Sequence, residues 1–146
     1  MIHLTLLFAS ILGGLAVIFG AFGAHALKKI LNEEQLKSFE TAVKYQIYHA
    51  IVLLVIGFNF NLETTPEKYM VYSFIIGIIL FSFSIYGLVI SSAMNKKLRF
   101  LGPITPLGGL LLVCGWCLLF YNVFYCWRGG ELSISKEIIV IIFVGV

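Results

Sequence analysis

The chain has 146 residues, room for one domain, and 60% of them are hydrophobic while only 12% are charged. Soluble domains run near half apolar and about a quarter charged, and a chain this short has no interior able to hide the excess, so its solvent is lipid. The net charge of +3 is small and confined to loops, which excludes a nucleic-acid footprint, and the 3 cysteines form no extracellular disulfide framework.

The first predicted span runs from Leu4 to Leu27 without a charge and is followed at once by Lys28-Lys29. As a helix it is about 36 Å long, more than the ~30 Å hydrocarbon core of a bilayer. Ala16, Gly20 and Ala24 recur four apart, with Gly23 beside them, and this face invites close packing of another helix. On that basis the first helix is the expected hub of the bundle. Ala24-His25-Ala26 fits a signal-peptide cleavage pattern, but Met1-Ile2-His3 holds no Lys or Arg and the apolar run is too long, so the segment is read as a retained span.

Asn32 followed by Glu33-Glu34-Gln35 predicts an N-cap with a capping box. From there Glu33, Lys37, Glu40 and Lys44 share one face and Leu36, Phe39, Val43 and Ile47 another, which predicts an amphipathic interfacial helix leading into a second span over 45–60. Thr64-Thr65-Pro66-Glu67 announces a third span, 69–94. Asn95 to Arg99 marks a water-exposed turn. Thr105 as N-cap and Pro106 as the first helical residue open a fourth span over 106–127.

The expectation is an all-α membrane protein: a four-transmembrane-helix bundle, residues 1–128, with an amphipathic cytoplasmic helix before helix 2. Residues 129–146 form a C-terminal tail whose last nine residues, Ile138 to Val146, are apolar but too few to span. Lys28, Lys29, Lys37, Lys44, Lys96, Lys97 and Arg99 lie in the first and third loops, against Lys68, Arg128 and Lys136 on the other side. The positive-inside rule then puts both termini outside the cytoplasm.

Within the spans the candidate polar cluster is His25, Gln46 and His49 with Tyr45 and Thr105, and Tyr86 approaching from the third helix. If the first two helices form a hairpin, the two histidines lie at similar depth. Intramembrane ionisable groups suggest ligand binding or proton relay, whereas the structural alternative is hydrogen bonding between helices. No carboxylate or third histidine joins them, so no metal and no cofactor is expected. Cys114-Gly115-Trp116-Cys117 is a C-x-x-C, but mid-helix burial disfavours the thiolate a redox pair needs. Ala16, Gly20, Gly23, Ala24 and Gly108 are read as helix-packing positions.

Three stretches carry a resemblance: Gly20-Ala-Phe-Gly-Ala-His-Ala-Leu27, Thr41-Ala-Val-Lys-Tyr-Gln-Ile-Tyr-His-Ala50, and Leu101-Gly-Pro-Ile-Thr-Pro-Leu-Gly-Gly109 with Gly115-Trp116. In order and spacing they resemble the domain-of-unknown-function 423 family, also described as transmembrane protein 256-like. The resemblance implies a small four-helix protein of the bacterial inner membrane and supplies no catalytic residue. Cys114 and Cys117 are outside the family pattern, and the segment beyond Gly129 departs from it. The expected function is a non-enzymatic accessory or interaction subunit, with the bilayer and either further copies of itself or a larger membrane complex as partners. The alternatives are a small oligomeric channel or proton relay using His25 and His49, and a membrane thiol oxidoreductase using Cys114 and Cys117.

Overall fold

The computed structural model describes residues 1–94, 96 and 98–128; the tail 129–146, Asn95 and Lys97 lie outside the described residues. Among the described residues, four helical rods are each long and apolar enough to cross a membrane. The first rod is α1 (Ile2–His25), continued by a 3₁₀ turn at Leu27–Lys29. The second is α2 (Glu33–Asn59). The third consists of α3 (Thr65–Ile78), a π-helical turn (Ile79–Phe83) and α4 (Ser84–Ala93). The fourth is α5 (Ile104–Arg128), preceded by a 3₁₀ turn at Arg99–Leu101.

Local chemistry explains most of these ends. The Asn32 side chain accepts from the Gln35 amide at 2.8 Å while Gln35 Oε1 accepts from the Asn32 amide at 3.0 Å, so the capping box starts α2 as its sequence requires. Thr64 and Glu67 do the same for α3. α5 begins two residues before its predicted start. Thr105 therefore does not cap it; its hydroxyl instead meets Ser84 Oγ at 2.7 Å.

Residues 33–44 run on into the second span without a bend at Lys44, as the sequence predicts. They are the first turns of one uninterrupted helix, because nothing between Glu33 and Asn59 breaks the backbone hydrogen-bond ladder. α2 lies antiparallel to α1 along its length: Gly23 sits against Phe39, Gly20 against Val43, and Gly13 against Ala50. The fourth rod lies along the third in the same manner, with Gly115 against Phe74, Gly77 against Leu112, and Gly108 against the π turn.

The hub is α2, not α1. Phe39, Ala42, Gln46, His49, Leu53 and Ile56 are buried along α2, which meets α1, α3, the π turn and α4 and is bonded to α5. α1 buries only the stripe Thr5, Ala9, Leu12, Ala16 and Gly23. The steps of four, three, four and seven residues keep to one face of a straight helix. Ala24, one step off that line, is exposed, so it is not a packing position. Nor does Gly14 meet any atom within 4 Å of where a side chain would start.

Two apolar clusters fill the interior. One, around Leu53, Ile56, Met70 and Phe74, occupies the half of the bundle that holds the α2–α3 loop. The other, around Phe39, Ala42, Tyr86 and Val89, occupies the half that holds the basic loops. Leu62 in the α2–α3 loop adopts a left-handed backbone (φ 56°) and is buried in the first cluster, so its side chain anchors the turn it strains.

Candidate functional site

Of the buried polar side chains, Gln46, His49 and Ser82 come together where the two clusters join, on the inner face of α2. His49 is 17 positions into α2 by residue number, level with Gly13, Phe74 and Trp116, near the middle of the bundle. Its Nδ1 is 2.7 Å from the Tyr45 carbonyl oxygen. The indole Nε1–H of Trp116, on α5, donates to its Nε2 at 3.2 Å. A carbonyl can only accept and an indole N–H can only donate, so the two partners together select the neutral imidazole with its proton on Nδ1. Neither ring nitrogen is left over. Phe74 and Trp116 close around the ring at centroid distances of 5.8 and 6.1 Å.

Gln46 is fully buried and works as a bridge across three rods. Its Nε2 donates to the Leu12 carbonyl of α1 at 2.8 Å, and its Oε1 accepts from the Tyr86 hydroxyl of α4 at 2.9 Å. One turn away Ser82, in the π turn, donates to the Ala42 carbonyl at 2.9 Å. Ala42, Gln46 and His49 therefore tie α2 to α1, to the π turn and α4 of the third rod, and to α5 from one face. Such bonds between membrane helices are worth about 0.6–2 kcal/mol each. Among the described residues no buried side-chain nitrogen or oxygen lacks a partner.

The π turn belongs to this constellation. Gly108 packs so tightly on it that a Cβ there would fall 2.4 Å from the Phe81 amide nitrogen. That approach of α5 sets Thr105 beside Ser84 and turns the Phe81 ring onto Tyr45, with centroids 4.7 Å apart. π turns within membrane helices leave backbone groups to be re-satisfied by neighbours, and here the hydroxyls of Ser82 and Ser84 lie at the turn.

Of the five residues expected to cluster, the structure brings Gln46, His49 and Tyr45 together on α2 and sets Thr105 a short way off, bonded to Ser84. His25 is elsewhere. It is exposed at the end of α1, level with the first turns of α2 and about 18 Å along the helix axis from the level of His49. The similar-depth expectation fails because α2 starts at Glu33, antiparallel to the end of α1, so His25 is level with the region around Phe39 and not with His49. The residue that sequence reasoning leaves out is Trp116. Its signal is chemical: an indole N–H inside a membrane span needs an acceptor, and His49 is a mid-span side chain able to offer one. Cys114 and Cys117 are free thiols on the exposed face of α5. Among the described residues no three His, Cys, Asp or Glu side chains converge.

The family model described as "Protein of unknown function (DUF423)" matches residues 19–109, which run from the end of α1 to the Gly108 contact. The chain belongs to the DUF423 family. It is 36% identical over 118 residues to a UPF0382 membrane protein of Staphylococcus haemolyticus, covering 78% of this chain and 93% of that one. It is 39% identical over 105 residues to one of Staphylococcus epidermidis, covering 72% and 82%. With a UPF0382 membrane protein of Haemophilus influenzae it shares 34% identity over 122 residues, 84% and 93% of the two chains. No solved structure matches. The chain is thus an integral membrane protein of a family of unknown function.

Proposed function

We propose that this DUF423 protein is a non-enzymatic accessory or interaction subunit of a larger membrane assembly. The observation that carries the reading is the mutual satisfaction of the interior: Gln46, His49, Ser82, Ser84, Tyr86 and Trp116 bond to one another or to backbone, so their polar groups hold helices together instead of facing a substrate. The wide apolar face of α1, which includes Phe8, Ile11, Val17, Ile18 and Phe22, is left for lipid or a partner helix. In this reading the protein resides in the inner membrane with the loops around Lys28-Lys29 and Lys96 in the cytoplasm and both termini outside.

The test is extraction in a mild detergent followed by size analysis of the tagged chain at native expression. Co-migration with a larger complex of fixed composition supports the role. A monodisperse monomer carrying no other protein overturns it.

A further inference from the structure

Between the amino-terminal turns of α2 and the start of α5, floored by α4, lies a cleft of about 770 Å³. Its size is within the range of small-molecule sites. Its α2 wall presents Glu34, Ser38 and Thr41, its floor Ile85, Leu88 and Val89, and its α5 side Pro106. At its polar edge Gln35 Nε2 donates to Ser92 Oγ at 3.2 Å, which ties wall to floor. On α2, Tyr45 lies one turn deeper than Thr41, its ring on Phe81. Polarity therefore falls from mouth to depth, as it does along a lipid at the boundary between headgroups and acyl chains.

The wall is selective in hydrogen-bond sense. The Ser38 hydroxyl donates to the Glu34 carbonyl at 3.0 Å and the Thr41 hydroxyl to the Lys37 carbonyl at 2.9 Å. With their protons so used, both oxygens offer lone pairs to the cleft. The Glu34 carboxylate, which makes no ion pair among the described residues, can only accept. A donor-rich cation fits the stretch formed by Glu34, Ser38 and Thr41, while Asn32 Nδ2 and the Ser92 hydroxyl, which also line the cleft, keep donors for a phosphate. Lys37 and Lys96 stand at the same end of the bundle, interleaved with Glu33 and Glu40, and suit a phosphate.

We propose that this cleft binds one amine-bearing phospholipid from the leaflet on the side of the basic loops. The protonated primary amine sits between Glu34 and Ser38, the phosphate toward the lysines, and an acyl chain over Ile85, Leu88 and Val89. The occupancy is independent of whether the protein serves a larger assembly.

The experiment is native mass spectrometry of the full-length chain in detergent, titrated with dioleoyl-phosphatidylethanolamine or dioleoyl-phosphatidylglycerol. The expected result is one ethanolamine lipid retained with about tenfold preference, the size of one charge-assisted contact. Glu34→Gln, a surface change that leaves the fold alone, should erase that preference. Thr41→Trp should fill the cleft and lower retention of both lipids, whereas Leu7→Trp on the exposed face of α1 should change neither. Equal or stronger glycerol-lipid binding, an unchanged preference in Glu34→Gln, or a dimer that dissociates in Thr41→Trp would each overturn the proposal, the last by putting a second copy in the cleft.

Discussion

Gly108→Ala is the sharpest test of how the fourth rod is seated. The added Cβ would lie 2.4 Å from the Phe81 nitrogen and 2.8 Å from both the Leu80 carbonyl carbon and the Phe81 Cα, all of them backbone atoms. Ordinary contact begins near 3.4 Å, so the helices must part by about 1 Å at this level. No side-chain rotation can relieve the clash, because neither partner is a side chain. Overpacking of this kind costs about 1–3 kcal/mol. The Ser84–Thr105 bond at 2.7 Å, three residues away, stretches with it and forfeits about 1 kcal/mol more. The total is about 2–4 kcal/mol, read as a shift in an SDS-titration unfolding curve of the detergent-solubilised protein. Gly14→Ala, where no atom lies within 4 Å, is the matched control and should be neutral or stabilising by up to about 1 kcal/mol. A Gly108→Ala curve superimposable on the parent, or an equal loss at Gly14, would refute the reasoning.

Trp116→Phe removes the donor to His49 Nε2 and should cost about 1–2 kcal/mol in the same titration. Long-range ¹H–¹⁵N correlation should find His49 as the Nδ1–H tautomer in the parent and a displaced Nε2 resonance in the variant; an Nε2–H tautomer in the parent would contradict the bonding. Ala16→Leu should destabilise the α1–α2 pair by about 1–3 kcal/mol, because Ala16 is 1% exposed, while Ala24→Leu should be tolerated. Single cysteines, in a background lacking the native ones, at Asn61 and at Lys28 should be labelled by an impermeant maleimide from opposite sides of the cell membrane, with Asn61 the outer one. Labelling of both from one side would dissolve the topology.

The four rods are legible in the sequence because hydropathy and capping are local. Asn32-x-x-Gln35 and Thr64-x-x-Glu67 mark their helix starts by contacts between near neighbours. The choice of hub is not local. A stripe of small residues in α1 suggests a centre, whereas the centre is the helix whose inner face can offer Gln46 and His49 to three neighbours at once. Ala24 shows the finer limit: a strict four-residue step drifts around a helix of 3.6 residues per turn, so the third member of the series points away. The charged stretch from Glu33 to Lys44 runs on into the second span as its sequence suggests, but only the pairing of Gly23 with Phe39 shows how far along α1 it stands, which is why His25 and His49 are apart. The π turn leaves no mark within Ile79–Phe83, since its setting includes a glycine more than two dozen positions downstream. The Trp116–His49 bond was within reach, because each residue needs what the other supplies.

The pairing of α1 with α2 and of α3 with α5 divides the molecule at the loop after Asn59 into two helical hairpins. Each hairpin can enter the bilayer as a unit, with its glycine contacts formed before the other arrives, and the Gln46, Ser82 and Trp116 bonds join them afterwards. A gene cut after Leu62 should accordingly yield two fragments that find each other in the membrane when made in the same cell.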